Sequence, residues 1–455
     1  MVSRARSSVA PVYLLLCLIL GGSSQGVFAN MLLQLVGVAI LAWAAVARPD
    51  EVPKPAEAWL FGCILLGLAV ILLQIIPLPP SIWQHLPGRG DIVEGFRILG
   101  LQSVWLPISL SPYDSFATLL KLIPPLAILA ALLRLGARPA WVIVALLFGT
   151  MAGIILGALQ VSSADPANSP WYLYADTNLG VATGFFANAN HMAILLVIAL
   201  PFLAALVASS RQNEGVQRYS AIVALAAGAA LVIAVGLALN GSLAGFGLVL
   251  PVVVASAMIL TGHTSPIRRW MLLLSGLLLV AAIAVIAVRP IGTSGLAASA
   301  ESSVQSREAI LRTSLAATRD MMPVGSGVGT FENVYQLYED HERLDPTTVV
   351  NHAHNDYVEI ALETGIPGLI ALALFLGWWI RMTWAAWRSE DFGPYAKAAT
   401  IASAAILAHS LVDFPLRTAA ISGCFAMCLG LMAMGPPRRQ GDPSELWPTR
   451  HVVVG

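Results

Sequence analysis

The chain is poor in charge. Its 455 residues include 25 Lys and Arg and 25 Asp and Glu, which is 11% charged. Soluble domains carry roughly 25%, and a water-soluble fold of this length would need far more polar surface. With 57% hydrophobic residues and a mean hydropathy of +0.78, the composition points to an integral membrane protein with many spans. The charges sum to zero, so no global electrostatic argument favours a nucleic-acid partner. Cysteine is scarce too. Cys17, Cys63, Cys424 and Cys428 all lie in apolar runs and read as small buried hydrophobes, which excludes a disulfide framework. No Walker or dinucleotide loop occurs: the glycine-rich stretch Val324–Gly329 follows no strand pattern. Internal repeats, which transporters built from inverted halves carry, are also missing.

What the chain does have is apolar sequence in blocks. Twelve segments approach the length of about 20 residues needed to cross a bilayer. They are 9–25, 30–47, 57–76, 115–133, 139–160, 190–208, 219–239, 243–261, 270–288, 364–384, 395–412 and 418–435. Arg4 and Arg6 precede the first, and Val27–Ala29 resembles a signal-peptidase site. A second apolar run follows at once, which favours a retained first span. With the N-terminus placed in the cytoplasm, 16 of the 25 Lys and Arg residues fall on the cytoplasmic side, in the termini and in short loops, as in Arg134 with Arg138 and Arg268 with Arg269. That bias sets orientation, and both termini are expected on the cytoplasmic side. Two longer connections face outward. One runs over about 77–114 and contains Trp83 and Trp105, candidates for stacking on sugar rings or for interfacial anchoring. The other, 289–358, reads as an ordered cap: a helix carrying Arg307, Arg312 and Arg319, a break at Pro323 and its glycines, then a second amphipathic helix. The expected division is nine spans over 1–288, the cap over 289–358, three spans over 359–435 and a tail over 436–455. The fold class is an all-α polytopic membrane protein.

Polar chemistry collects on the outward face. "TGFFANANHMA" places Asn188, Asn190 and His191 where span six begins, and "LNGSLAG" places Asn240 and Ser242 between spans seven and eight. "VVNHAHNDYVEIALETGIPGL" brings His352, His354, Asn355, Asp356 and Glu359 to the edge of span ten, and "AHSLVDFPLR" adds His409, Asp413 and Arg417. Ionisable groups at membrane depth are expensive and usually functional. Blander readings stand beside this one. His409 and Asp413, four apart, would pair on a helix; Asn188 and Asn190 would cap span six; the cap arginines would form a solvated helix face. His354 stands with an amide and two nearby carboxylates, which suits a general base near neutral pH. Arginine forks match phosphate oxygens. Together they suit transfer of a group from a phosphate leaving group to a hydroxyl. His352 and His354 lack a third ligand at recognisable spacing, so no metal is expected. No cofactor is expected either, because the energy source lies in the donor.

These residues resemble the O-antigen ligase and polymerase superfamily of bacterial inner-membrane glycosyltransferases. The resemblance covers about Thr183–Pro415. It rests on "TGFFANANHMAILLVIALP", on "SREAILRTSLAATRDMMPVGSGVGTFENVY" and, most specifically, on "HAHNDYVEIALETGIPGLI". It implies a C-type glycosyltransferase fold of about twelve transmembrane helices under a helical periplasmic cap. The implied donor is a glycan on undecaprenyl pyrophosphate. The acceptor is a growing repeat unit in polymerases, lipid A core in ligases or a protein side chain in related oligosaccharyltransferases. By resemblance, His354 is the base and Arg307 binds pyrophosphate, with Arg312 or Arg417 assisting. Asp356 or Glu359 is expected to orient the histidine, and direct displacement would invert the anomeric centre. Leu243 stands where many members carry arginine, so one pyrophosphate contact is missing or comes from Arg417 or Arg289. That departure favours a surface-polysaccharide polymerase. A lipid-linked glycan transporter is the alternative from another class.

Overall fold

The computed structural model describes residues 2–25, 27–47, 54–261, 267–288, 295–339 and 349–435. Three helices come first: α1 (Val2–Leu20), α2 (Phe28–Val46) and α3 (Pro55–Ile75). The short α4 (Pro80–Trp83) and α5 (Gly90–Ile98) fill the next connection. α6 (Pro112–Lys121) and α7 (Ile123–Arg134) follow almost without a gap. Pro124 and Pro125 lack the N–H groups that would continue the α6 ladder, so the expected span 115–133 divides at Leu122. Next come α8 (Pro139–Val161), α9 (Ala189–Asn213), α10 (Val216–Asn240), α11 (Leu243–Leu260) and α12 (Ile267–Val288). α13 (Gly295–Met321) and α14 (Phe331–Tyr338) lie in the segment expected to form the cap. The chain ends in α15 (Asp356–Arg388), α16 (Pro394–His409) and α17 (Ala419–Ala433).

Each of the twelve expected spans therefore has a helical counterpart. Among the described residues, eight are long and apolar enough to cross a membrane: α2, α3, the joined α6–α7, α8, α9, α10, α11 and α15. α1, α12 and α17 carry shorter apolar stretches, and α16 has 16 residues. The chain is a multi-pass helical membrane protein, and length with apolarity supports eight spans where twelve were expected. The tail from residue 436, Arg289 and Arg343 lie outside the described residues.

α9 sits at the centre of the bundle, packed by α8, α10, α11 and α16. α17 packs on α7, α16 and α1, while α15 crosses α3 and carries the cap helix α13. Small residues permit the close approaches. A Cβ on Gly149 of α8 would stand 2.7 Å from Leu18 Cδ1, and one on Gly157 would stand 2.8 Å from Ala182 Cβ. With Gly153 between them, these glycines recur every four residues and let α8 lie directly against α1, Ala182 and Met192 of α9. A second, smaller apolar core lies under the cap, where Ile310, Ala317, Met321, Phe331, Val334 and Leu362 meet.

The connection over 76–111 is docked against the cap. Leu78 and Leu106 form an isolated antiparallel bridge, and Arg89 is almost fully buried. The Arg89 guanidinium donates to the carbonyls of Pro87 and Ile108 and lies 3.7 Å from Met321 Sδ. Trp83 is completely buried, its indole N–H donating to Val104 O at 2.9 Å. It is a structural anchor and offers no face to a sugar, whereas Trp105 is 63% exposed. A third long connection, 162–188, was not anticipated as a feature. Buried Gln160 holds it: its carbonyl accepts from the amides of Thr183 and Gly184, and its amide donates to Trp171 O.

Candidate active site

The start of α15 is laced to the turn after α16. Asn355 is the helix N-cap, its carbonyl accepting from the amides of Tyr357 and Val358. Its NH2 donates to Leu411 O at 3.0 Å. The Asp356 amide donates to Ser410 O at 2.9 Å, and the Ser410 hydroxyl donates back to Asp356 Oδ2 at 2.8 Å. Tyr357 Oη donates to Leu407 O at 2.8 Å. The motif His-Asn-Asp-Tyr is thus a run of consecutive fasteners to residues 407–413.

His354 has φ +49°. A non-glycine residue in the left-handed region costs of order 1–3 kcal/mol and persists only where its surroundings hold it. The hold comes from Asp413, whose Oδ1 lies 3.1 Å from His354 Nδ1. Burial alone would raise the Asp413 pKa. The hydrogen bond from His354 and the charges of the surrounding imidazoles outweigh it and keep the carboxyl below the usual carboxylate range. An ionised carboxylate only accepts, so Nδ1 is the donor to it, and in a neutral ring that tautomer leaves the lone pair on Nε2. The expectation that Asp356 or Glu359 orients this ring is corrected: Asp356 bonds Ser410, and Glu359 Oε1 lies 2.9 Å from His352 Nδ1. The expected pairing of His409 and Asp413 within one helix also changes. α16 ends at His409, and Asp413 lies in the turn beyond, 3.9 Å away. Phe414 fills the space among the rings, with centroids 4.2 Å from His352, 5.0 Å from His354 and 5.1 Å from His191.

Asp356, Glu359 and Glu363 recur at helical spacing and converge on Arg417. The guanidinium stands 3.1 Å from Glu359 Oε1, 3.3 Å from Glu363 Oε2 and 3.6 Å from Asp356 Oδ1. Burial alone would lower the Arg417 pKa, but the three carboxylates more than offset it and raise it. Glu363, which the sequence reading did not single out, also organises the cap. Its Oε1 accepts from the amide of Gly329 at 2.9 Å, and its backbone carbonyl accepts from Gln74 of α3 at 2.8 Å. Gly365 then breaks the helix at φ +58°, ψ −151°, with Ile366 N donating to Pro323 O at 2.8 Å. A Cβ at Gly365 would stand 2.2 Å from that carbonyl oxygen. The glycine-rich cap loop and the kink in α15 are therefore one unit.

Two cavities open at this end of the bundle. The larger, about 1160 Å³, runs between α3, α6–α7 and α15. Its deep part is apolar, with Leu60, Ile64, Val70, Leu372 and Phe375. Its mouth is polar, with Lys121, Arg417, Glu363, Asn333 and His352. The smaller, about 270 Å³, is lined by His354, His191, Asn188, Thr177 and Phe414. Asn351 and Asp176 line both.

The other expected site residues divide by position. Asn188 caps α9, accepting from Asn190 N at 2.8 Å, and Asn190 Oδ1 accepts from the Ser242 hydroxyl at 2.7 Å. Asn240 donates to the carbonyls of Ala182 and Ala189. These amides brace the α9 and α11 starts and support the site from below. Arg307 is half-buried on α13, within electrostatic range of buried His409. Arg312 points away: its side chain is 78% exposed and pairs with Glu308 one turn back. That is the solvated-face reading, and Arg312 is not brought to the site. Lys121, the last residue of α6, lies within electrostatic range of Arg417 and Glu363.

A polytopic helical protein with an aspartate-oriented histidine at one mouth of a cleft has the parts of a membrane-embedded transferase. A family model described as O-antigen ligase matches residues 228–373. This stretch runs from α10 through the cap to the kinked half of α15, and includes His354. The match bears out the resemblance to the O-antigen ligase and polymerase superfamily, and with it a glycosyltransferase-like enzyme of the ligase or polymerase type. No curated protein matches the chain.

Proposed function

We propose that the chain transfers a glycan from undecaprenyl pyrophosphate to an acceptor hydroxyl on the periplasmic face of a bacterial inner membrane. The observation that carries this reading is the His354–Asp413 pair at 3.1 Å, set beside a cleft that has an apolar wall and a charged polar part where Lys121 and Arg417 stand among carboxylates. The lipid occupies the apolar part of the larger cleft. The pyrophosphate meets Lys121 and Arg417 at the mouth and Arg307 on the cap, which stabilise the charge that develops as it leaves. Arg417 also anchors three carboxylates, so it contributes less positive field than its formal charge.

His354 Nε2 accepts the proton of the acceptor hydroxyl. That oxygen bonds to the anomeric carbon as the carbon–oxygen bond to the pyrophosphate breaks, and the electron pair leaves with the lipid pyrophosphate. Asp413 stabilises the imidazolium that forms. Displacement from the opposite side inverts the anomeric centre. The assay is reconstitution with lipid-pyrophosphate repeat units, followed by a gel of the products. A ladder of longer chains means a polymerase, and transfer only after an added acceptor means a ligase. If a folded protein with native donor is silent with every acceptor, transfer is rejected.

A further inference from the structure

A second imidazole at this end of the bundle is held by a carboxylate of its own. His352 Nδ1 lies 2.9 Å from Glu359 Oε1, and Glu359 is almost fully buried. The two histidines serve different cavities: His352 lines the larger and His354 the smaller. Phe414 packs against both rings. Nδ1 of His352 is committed to Glu359, so Nε2 is the ring nitrogen that remains for a ligand. Glu359 Oε2 also accepts from the Ala353 amide at 3.1 Å, which braces the 352–354 turn. The brace accounts for Nδ1 and for the carboxylate. It does not account for a half-buried imidazole in the wall of the cleft.

Charge in that cleft is unbalanced. Among the described residues its lining sets Asp114, Asp176, Glu332, Asp356, Glu359 and Glu363 against Lys121 and Arg417. Arg417 is already shared by three of the carboxylates. An anion entering here loses water and meets more acid than base, which is costly unless a further cation faces it. Histidine can add that charge near neutral pH. Glu359 accepts from Nδ1 in either form of the ring and favours the charged one, while Arg417, 3.1 Å from Glu359 Oε1, opposes it. Glu363 and His191 are also within electrostatic range of His352. A pyrophosphate against Nε2 tips this balance toward the imidazolium.

We propose that His352 is a second catalytic histidine, which as an imidazolium donates an Nε2–H hydrogen bond to the pyrophosphate oxygen that leaves the anomeric carbon. The proposal rests on the transferase reading above and adds a leaving-group residue to it. The ring takes its proton from solvent when the pyrophosphate binds and keeps it through the step. The electron pair of the broken carbon–oxygen bond comes to rest on the oxygen that accepts from Nε2. The two histidines divide the work: the neutral ring of His354 takes the proton of the acceptor hydroxyl, and the charged ring of His352 stabilises the departing anion.

The test uses the full chain in lipid nanodiscs, with empty nanodiscs as the blank, and farnesyl pyrophosphate as a soluble stand-in for the leaving lipid pyrophosphate. Binding and proton uptake are measured by calorimetry in buffers of different ionisation enthalpy. Two variants separate the nitrogens. His352→Asn keeps an amide donor for Glu359 and loses Nε2, whereas His352→Gln keeps a neutral donor near the Nε2 position. At about pH 6, where imidazole is largely charged, His352→Asn should bind farnesyl pyrophosphate at least about 10-fold more weakly, the worth of one charge-assisted hydrogen bond. Its melting temperature should match the parent, and it should take up fewer protons on binding. His352→Gln should recover part of the loss. The gap between parent and His352→Asn should close as pH rises toward about 8.5, where the imidazolium is lost. Equal binding by the parent and His352→Asn would overturn the proposal and leave the transferase reading standing. Early melting of His352→Asn with no difference in proton uptake would reduce His352 to a brace and overturn it too. A parent chain that does not bind farnesyl pyrophosphate would overturn the donor cleft itself. Binding that depends on His352 in a chain with no transfer activity would support the pyrophosphate contact and reject transfer.

Discussion

In the proposed reaction three residues carry the chemistry at the smallest scale: His354, Asp413 and Arg417. Replacing His354 by Ala should reduce transfer by about 10²–10⁴-fold, the usual worth of a general base, with little change in detergent melting temperature. Asp413→Asn keeps the shape but inverts the hydrogen bond that selects the tautomer, so kcat should fall at least about 100-fold while the donor KM holds. The same pair has a stability consequence. The Asp413 pKa is depressed in the fold, so its contribution is full above the unfolded carboxylate pKa, about 3.9, and is lost as pH falls toward the folded value. The melting difference between the parent chain and Asp413→Asn should be constant from neutral pH to about 5 and shrink below about 4. Arg417 differs in kind. Removing it takes from three buried carboxylates the guanidinium they share, which costs about 3–5 kcal/mol. Arg417→Ala should therefore melt early in a thermal-shift assay as well as lose activity, unlike His354→Ala.

At the scale of the element, the kink in α15 decides whether the site exists. Gly365 in α15 and the glycines of the cap loop interlock. Gly365→Ala forces a Cβ against Pro323 O and puts alanine at positive φ. It should lower the melting temperature and separate cap from bundle, seen as faster proteolysis within 323–330. The cap helix provides a paired comparison. Arg307 is half-buried near His409, whereas Arg312 is exposed beside Glu308. Arg307→Ala should raise the donor KM or lower kcat at least about 10-fold, and Arg312→Ala should leave both within about 2-fold, because exposed i,i+4 pairs are worth about 0.3–0.5 kcal/mol. Sequence periodicity placed both arginines on one cap helix and could not rank them. Their ranking depends on which helical face meets α15.

At the scale of the whole molecule, two cavities share one rim, and three connections that are remote in sequence form it. The N-terminal turn at Ser24 and Gln25, the 162–188 connection and the start of α15 meet there, with Gln25 Nε2 donating to Asp176 Oδ2 at 3.4 Å. The sequence reading anticipated the cap and the 77–114 loop but passed over 162–188. Its polar residues are ordinary loop residues taken singly, and Thr177 carries no motif. One signal was present: a 29-residue gap between the expected spans 139–160 and 190–208, long for a connection without a role. Trp83 shows the opposite error. An aromatic residue in an outward loop is a fair sugar-stacking candidate until packing shows it buried against its own loop.

Composition and periodicity alone determined that the chain is an α-helical membrane protein. In a bilayer the backbone must satisfy its own hydrogen bonds, and apolar blocks of sufficient length have one common solution. The local motif also placed His354 at the edge of span ten, and the structure adds the cap that Asn355 makes on neighbouring amides of α15. Which carboxylate serves His354 was beyond the sequence. Asp356 and Glu359 are near in the chain, but the helix directs them to Ser410, His352 and Arg417. Asp413, 59 residues away, reaches the ring because the turn after α16 folds back over the cap of α15. A helix separates neighbours in sequence around its circumference, and only the packing of one helix end on another turn brings the working pair together.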